Sequence, residues 1–368
     1  MTDVATAPTD QTHGPVALDE QRIEEFAGEL FGFYTGGMLT YLIDIGRRTG
    51  LFEAAAEGPA TSAGLADRAG LHERYVREWL GAMVTGGVID YDADAGVYRL
   101  PAEHAACLTG GGANDLAPFA RLNTHLAKHV ADITEAFREG GGVPYQEYRP
   151  EFTDVMDGLG RGGLDEALLS DWLPLVPDVV ERLTAGARVV DVGCGTGHAI
   201  VLMAEAFPRS EFVGIDIAAD AIEQARAEAV AAGVDNVRFE VEDAADLTAD
   251  EPFDVAFVFD AIHDQVEPAT VLANIRRALT SDGVFLMFEP AISSNLEDNV
   301  AHPLAPFLYA ISTLHCLTIS LAHDGAALGT AWGQQVACDM LRDAGFPDVT
   351  VEELPNEPIN ALFVARRS

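Results

Sequence analysis

Apolar positions along the chain fall into helical spacing at first and into strand–turn–helix alternation later. From Arg22 to about Leu108 they recur at helical intervals and end in a short alternating stretch. In "TSAGLADRAGLHERYVREWLGAMVTGGVIDYDADAGVYRLP" a short helix follows Thr61 and Ser62, and Gly70 makes a turn. A second helix carries Tyr75, Val76, Trp79, Leu80 and Met83 at helical spacing. "GVIDYDADAGVYRL" then predicts two strands around an Asp/Ala/Gly turn, the wing of a winged helix. Upstream, "FYTGGMLTYLIDIGRRTGLFEAA" is an apolar helical stretch, more than one small domain needs. It serves either as local core or as a dimer interface.

Residues 109–170 read as helices broken by "GGG" runs at Gly110–Gly112 and Gly140–Gly142, a helical linker that could also cover a pocket. From residue 171 to 368 the pattern changes. "ARVVDVGCGTGHAIVLMAEAFPRSEFVGIDIAADAIEQARAEA" reads as strand, glycine-rich turn, helix, strand, acidic end, helix. That alternation predicts an α/β domain with a parallel, doubly wound sheet and ligands at the carboxyl ends of its strands. The domain organisation expected is a flexible tail over 1–20, a winged-helix segment over 21–108, the linker, and the α/β domain.

Composition narrows the function classes. The chain carries a formal net charge of −37 and a single lysine, Lys128, the other cations being arginines. A field of that sign repels nucleic acid and anionic membranes. The winged helix needs a basic face to read DNA, yet residues 1–110 hold seven arginines against seventeen acids, and Glu73 and Glu78 offset Arg74 and Arg77. The carboxylate excess resembles proteins of salt-loving organisms; a GC-rich genome explains the missing lysine but not the acids. No apolar run is long enough for a membrane helix, and "MTDVATAPTDQTHGPVALDE" has neither the basic nor the apolar region of a signal peptide. Cys107, Cys194, Cys316 and Cys338 are scattered, which suits reduced thiols in the cytoplasm and gives no metal spacing.

Gly193, Gly195 and Gly197 let the backbone approach a ligand where a Cβ would clash. Asp216 ends the second strand, where a carboxylate accepts from both ribose hydroxyls of an adenosine. A dinucleotide fingerprint would place its third glycine at His198. Here the pattern is D-x-G-x-G-x-G, with Asp191 two residues before Gly193. A second carboxylate suits a cationic ligand better than a pyrophosphate.

With these motifs the chain resembles the class I S-adenosylmethionine-dependent methyltransferases. "VVDVGCGTG" is similar to their first motif and "GIDIA", with Asp216 and Ile217, to their second. "FEVEDAADL", with Asp243 and Ala244, resembles the acidic turn that recognises adenine, and "FDVAFVFDAIHD" the fourth strand of their sheet. The tail "LRDAGFPDVTVEELPNEPINALFVAR" resembles the hairpin that closes a seven-stranded, Rossmann-like sheet with one antiparallel strand. "FDAIHDQ", "HPLAPFLYAISTLHCLTISLA" and "GTAWGQQ" are similar to the mycobacterial Rv2258c-like subgroup, and the winged segment to the dimerisation domain of small-molecule O-methyltransferases.

The resemblance implies S-adenosylmethionine as cofactor, held by Asp191, Gly193, Gly195, Gly197, Asp216, Ile217, Asp243, Ala244 and Asp260, and a homodimer joined through the N-terminal domain. It implies His263 as general base, since "IHDQ" resembles the His-Asp pair of plant-type O-methyltransferases, and a histidine near its ordinary pKa suits that task. A lid is implied over about 290–335, whose His302, Tyr309, His315 and Trp332 are candidates for the pocket wall. Asp264 either joins that wall or caps the helix near Pro268 with Glu267 as partner. His263 and the lid histidines match no zinc signature, so no metal is expected. The expected function is methylation of a small molecule, most simply at a hydroxyl. The alternatives are N-, S- or C-methylation on the same scaffold, or a transcription regulator sensing the cofactor. A nicotinamide oxidoreductase is disfavoured by His198.

Overall fold

The computed structural model describes residues 18–110, 112 and 114–367. The expected N-terminal tail lies mostly outside them. The first element of the described residues is the long helix Glu20–Arg48, capped by the Asp19 carboxylate, which accepts from the amides of Gln21 and Arg22. The winged motif follows as expected. Thr61 caps the helix Ser62–Ala69 by accepting from the amide of Gly64, and Gly70 closes it in the left-handed region at φ 67°. The second helix, Glu73–Thr85, buries Val76, Trp79, Leu80 and Met83. Tyr75 departs from the expected face. It is 81% exposed, because it lies one residue, about 100° of rotation, beside Val76 and off the buried stripe. Strands β1 (Asp90–Asp92) and β2 (Val97–Arg99) pair antiparallel to form the wing.

The second unit is a seven-stranded sheet. Its strands are β3 (Arg188–Val192), β4 (Glu211–Asp216), β5 (Val237–Val241), β6 (Phe253–Phe259), β7 (Leu279–Pro290), β8 (Asp348–Glu353) and β9 (Asn360–Arg366), in the order β5-β4-β3-β6-β7-β9-β8. β3 to β7 pair parallel, and β9 inserts antiparallel between β7 and β8. The interior strands are near-continuous apolar runs because both faces are covered. One face packs Val189, Phe257 and Leu286 against helices that carry Leu183, Ile200 and Ile222. The other packs Val190, Val258 and Phe285 against Leu272, Ile275 and Leu341. The chain reverses direction across the sheet at β3, whose two neighbours are the next strand and β6, and the carboxyl ends there form the crevice where such sheets bind ligands.

The linker and the insertion after β7 pack on each other. Leu122, Leu126, Val143, Tyr148, Phe152 and Val155 form one cluster with Ile319. The Val143 amide donates to Thr318 Oγ1 at 2.8 Å and the Tyr148 hydroxyl to the Leu314 carbonyl at 2.7 Å.

The acid excess has a measurable consequence. Of 59 acids against 22 basic residues, most have no cation to pair with. At molar salt the screening length falls to about 3 Å, so carboxylate repulsion fades. The melting temperature is expected to rise from dilute buffer to molar KCl; a flat or falling curve would contradict the halophilic reading.

Candidate active site

Four acids and one histidine meet the crevice from strand ends. Asp191 lies in β3, Asp216 ends β4, Asp260 follows β6, and Glu289 lies near the end of β7. Between β3 and the helix His198–Ala206 runs the glycine turn. Asp216 accepts from the Gly195 amide at 2.9 Å and the Ala218 amide at 2.8 Å, so the carboxylate ties the turn to β4. Gly195 sits at φ 54° with open space where a Cβ would stand, which leaves backbone bare for a ligand. A Cβ at Gly197, by contrast, would strike Phe239 and Ala225, so that glycine serves packing. Ile217, beside Asp216, is exposed, and Asp243 starts a short turn by accepting from the Ala245 amide at 2.9 Å, with Ala244 buried behind it.

Three features fit a cationic adenosyl ligand at this edge. Asp191 is enclosed, and its Oδ1 has no hydrogen-bond partner. Burial, then the neighbouring Asp216, pushes its carboxyl up to about 8. Asp260 is likewise pushed up to about 7 by burial and Glu289. Its backbone is held at φ 51°, an uncommon conformation, with Asn360 donating to Oδ2 at 2.7 Å. Buried carboxylates short of cations are stabilised by a sulfonium or an ammonium.

His263 follows the end of β6 by four residues and is 4% exposed. Its Nδ1 lies 2.5 Å from Glu289 Oε2. Glu289 is fully enclosed and also accepts from the Ile262 amide at 2.8 Å and the Trp332 indole at 3.3 Å. The carboxylate therefore fixes the ring and turns Nε2 toward Asp264 Oδ1, 3.4 Å away. Burial alone would lower the pKa of His263. The Glu289 and Asp264 charges outweigh it and hold the imidazolium well above the ordinary range, which corrects the expectation of a histidine near its usual value.

The residues expected in the pocket wall divide. His315 stacks on Phe152 with centroids 3.9 Å apart and faces Asp264 Oδ2 across 3.9 Å; burial pushes it down to about 4, so it is neutral. Trp332 is buried and supports Glu289. His302 sits in a turn of the insertion, its Nδ1 accepting from the Leu304 amide, and the Tyr309 hydroxyl accepts from Asn299. Neither is hydrogen-bonded to the His263 group. Asp264 does not cap the following helix: Glu267 holds that position, and no side chain bonds to the end. A proline at the first turn already removes one of the donors a cap would satisfy.

Sequence reasoning missed Glu289, although an acid closing the apolar run "VFLMFEP" repeats the signal that marks Asp260. It read the linker as a possible pocket cover but singled out none of its residues. Tyr145 lies near enough to Asp216 and Asp264 for both, after burial itself, to raise its phenol. Farther along, Thr196 of the glycine turn donates to Asp157 Oδ1 at 2.6 Å. Arg161 bridges Asp157 and Glu228, and His198 lies between Glu228 and Asp165. The linker helix thus clasps the glycine turn.

Two family profiles match the chain: a methyltransferase domain over residues 183–319 and an Rv2258c-like winged HTH domain over residues 37–110. The chain thus carries a methyltransferase domain behind an Rv2258c-like winged domain. The chain is 34% identical over 152 residues to the O-methyltransferase resE of Aspergillus sclerotiorum, covering 38% of this chain and 56% of that protein. It is 31% identical to the 27-O-demethylrifamycin SV methyltransferase of Amycolatopsis mediterranei, over 36% of this chain and 53% of that one. The chain thus spans little more than half the length of these curated relatives. In fold it resembles human N-acetylserotonin methyltransferase, solved with its methyl donor, at 18% identity and a TM-score of 0.66, over 97% of this chain and all of that one. It also resembles the mitomycin 7-O-methyltransferase MmcR at 19% identity and a TM-score of 0.68, over 94% and 98%. These likenesses extend the shared fold over more than nine-tenths of the chain.

Proposed function

We propose that this chain transfers the methyl group of S-adenosylmethionine to a hydroxyl of a small molecule, with His263 as general base. The observation that carries the reading is the His263–Glu289 pair beside Asp260, at the strand end next to the cofactor edge. When bound, the cofactor supplies an electrophilic methyl on a sulfonium sulfur. Asp191, Gly193, Gly195, Gly197, Asp216, Ile217, Asp243, Ala244 and Asp260 are the residues that hold it in this reading. The rest is the work of the chain. Tyr145 and the insertion enclose the acceptor. His263 Nε2 takes the hydroxyl proton as the new carbon–oxygen bond forms, and Glu289 stabilises the resulting imidazolium. Asp264 and His315 face the acceptor side.

The base form requires a neutral ring. Glu289 on β7 and Asp264 on the same loop raise its pKa, Asp260 lies beside it, and neutral His315 and the Cys316 thiol face it from the insertion. The rate should therefore climb with pH through a value above 6.5, and the His263→Ala protein should lose that limb. A wild-type rate flat from pH 6 to 9 would speak against the base. The acceptor for such assays comes from a screen of phenols, catechols, carboxylates, amines and thiols with labelled cofactor.

We also infer a homodimer. The helix Glu20–Arg48 exposes Phe26, Phe31, Phe33, Tyr34, Met38 and Ile45, a larger apolar surface than a lone helix keeps in water. Light scattering should report twice the chain mass, and Phe33→Glu with Met38→Glu should halve it; a wild-type monomer would remove the claim. DNA binding is not expected, since Arg74 and Arg77 are paired with Glu78 and Glu73. Among the described residues no helix is long and apolar enough to cross a membrane, and the four free thiols support a reducing, cytoplasmic setting.

A further inference from the structure

While Nδ1 of His263 is held by Glu289, its other nitrogen faces a second set of ligating atoms. His263 Nε2 lies 3.4 Å from Asp264 Oδ1, and with Cys316 Sγ these atoms all lie within 4.8 Å of one another. His315 stands next to them, its Nδ1 3.6 Å from Cys316 Sγ and 3.9 Å from Asp264 Oδ2. Asp264 Oδ1 is enclosed and has no hydrogen-bond partner. Buried polar atoms are nearly always satisfied, so an unpaired carboxylate oxygen among these donors calls for a ligand. The charge balance agrees. Asp260, Asp264 and Glu289 lie around His263, the neutral His315 adds no charge, and among the described residues none of the three forms an ion pair with arginine or lysine.

We propose that His263 Nε2, Asp264 Oδ1 and Cys316 Sγ bind a divalent transition metal of zinc's type. One nitrogen, one oxygen and one sulfur donor suit that borderline ion rather than calcium or magnesium. Bonds of about 2.0–2.3 Å in a tetrahedron set ligand atoms roughly 3.3–3.7 Å apart, the range of the His263–Asp264 separation. The supporting groups are those a metal site needs. Glu289 orients the histidine from its far side, and the Thr330 hydroxyl lies 2.8 Å from Cys316 Sγ as donor. The neighbouring His315 Nδ1 is the nearest fourth donor, and the partial exposure of Asp264 gives the ion a way in. On binding, Cys316 releases its thiol proton and the His263 imidazolium its Nε2 proton, both to solvent.

The metal takes the lone pair with which His263 accepts a proton, so it switches methyl transfer off. That consequence rests on the base reading; the binding itself does not. The test uses the full chain, stripped with a chelator and titrated with cobalt(II). One equivalent should bring up a thiolate-to-cobalt charge-transfer band in the near ultraviolet, and zinc(II) should abolish it. Cys316→Ser should lose the band, Cys338→Ser should keep it, and Glu289→Gln should weaken cobalt binding about 10–100-fold. Asp264→Asn, which leaves no cavity, should weaken it as well. No band in the wild type, or a band retained by Cys316→Ser, would overturn the site. Cofactor affinity is measured by calorimetry on the same samples. A cobalt band without cofactor binding keeps the metal site and removes its inhibitory role. Cofactor binding without the band overturns the metal and leaves the methyltransferase reading intact.

Discussion

His263→Ala is expected to lower methyl transfer by about 10²–10⁴-fold, the usual contribution of a general base, while leaving cofactor affinity unchanged. The imidazole is four residues beyond β6 and held by Glu289, on the acceptor side of Asp260, so its loss leaves the glycine turn and Asp216 untouched. Glu289→Gln tests the positioning role. The amide keeps the shape but not the charge that favours the imidazolium, so the fall in kcat should come with a shift of the acid limb toward lower pH. A structural role alone would move stability and not that limb. Loss of cofactor binding in His263→Ala would make the residue structural, and near-normal turnover would mean the acceptor needs no base.

Asp216→Ala is expected to weaken S-adenosylmethionine binding about 10–150-fold, or roughly 1.5–3 kcal/mol, the cost of removing a charged acceptor paired with two hydroxyls. Its carboxylate also holds the Gly195 amide, so Asp216→Asn, which keeps one acceptor oxygen, should fall between the mutant and the wild type. Asp191 adds a proton to the balance. With its carboxyl pushed up to about 8, it is mostly protonated at pH 7, and a cation beside it favours the charged form. Binding should then release a proton at pH 7 and cease to do so above about pH 9. Calorimetry in buffers of different ionisation enthalpy reads this directly; equal heats at pH 7 would show that the cofactor does not meet Asp191.

Much of this was legible in the sequence because it is local. The glycine turn, the acid ending β4 and the apolar run closing in Asp260 are each set by a few consecutive residues, and a period-two or glycine pattern is visible without the fold. The order of elements then placed them on one edge of the sheet. What stayed hidden is what the fold brings together across distance. Glu289 lies 26 residues from His263, and only the parallel pairing of β6 with β7 sets them side by side. The spacing of Asp264 allows a helix cap as well as a place in the pocket wall, and only the fold shows that it caps nothing and turns toward His315 and Cys316. Tyr75 matched the helical period but lies one step off the buried stripe, because periodicity fixes a face only to within a residue. The clasp of Arg161 on Glu228 joins segments 67 residues apart that nothing in either segment announces.

The central claim is methyl transfer to oxygen, and it is tested most directly by incubating the wild-type chain with methyl-labelled S-adenosylmethionine and the acceptor panel. The products are then analysed for the atom that carries the label. The account predicts label on the oxygen of a hydroxyl acceptor, at a rate that falls in the His263→Ala protein. Label on amines or thiols alone, at a rate indifferent to His263, would contradict it.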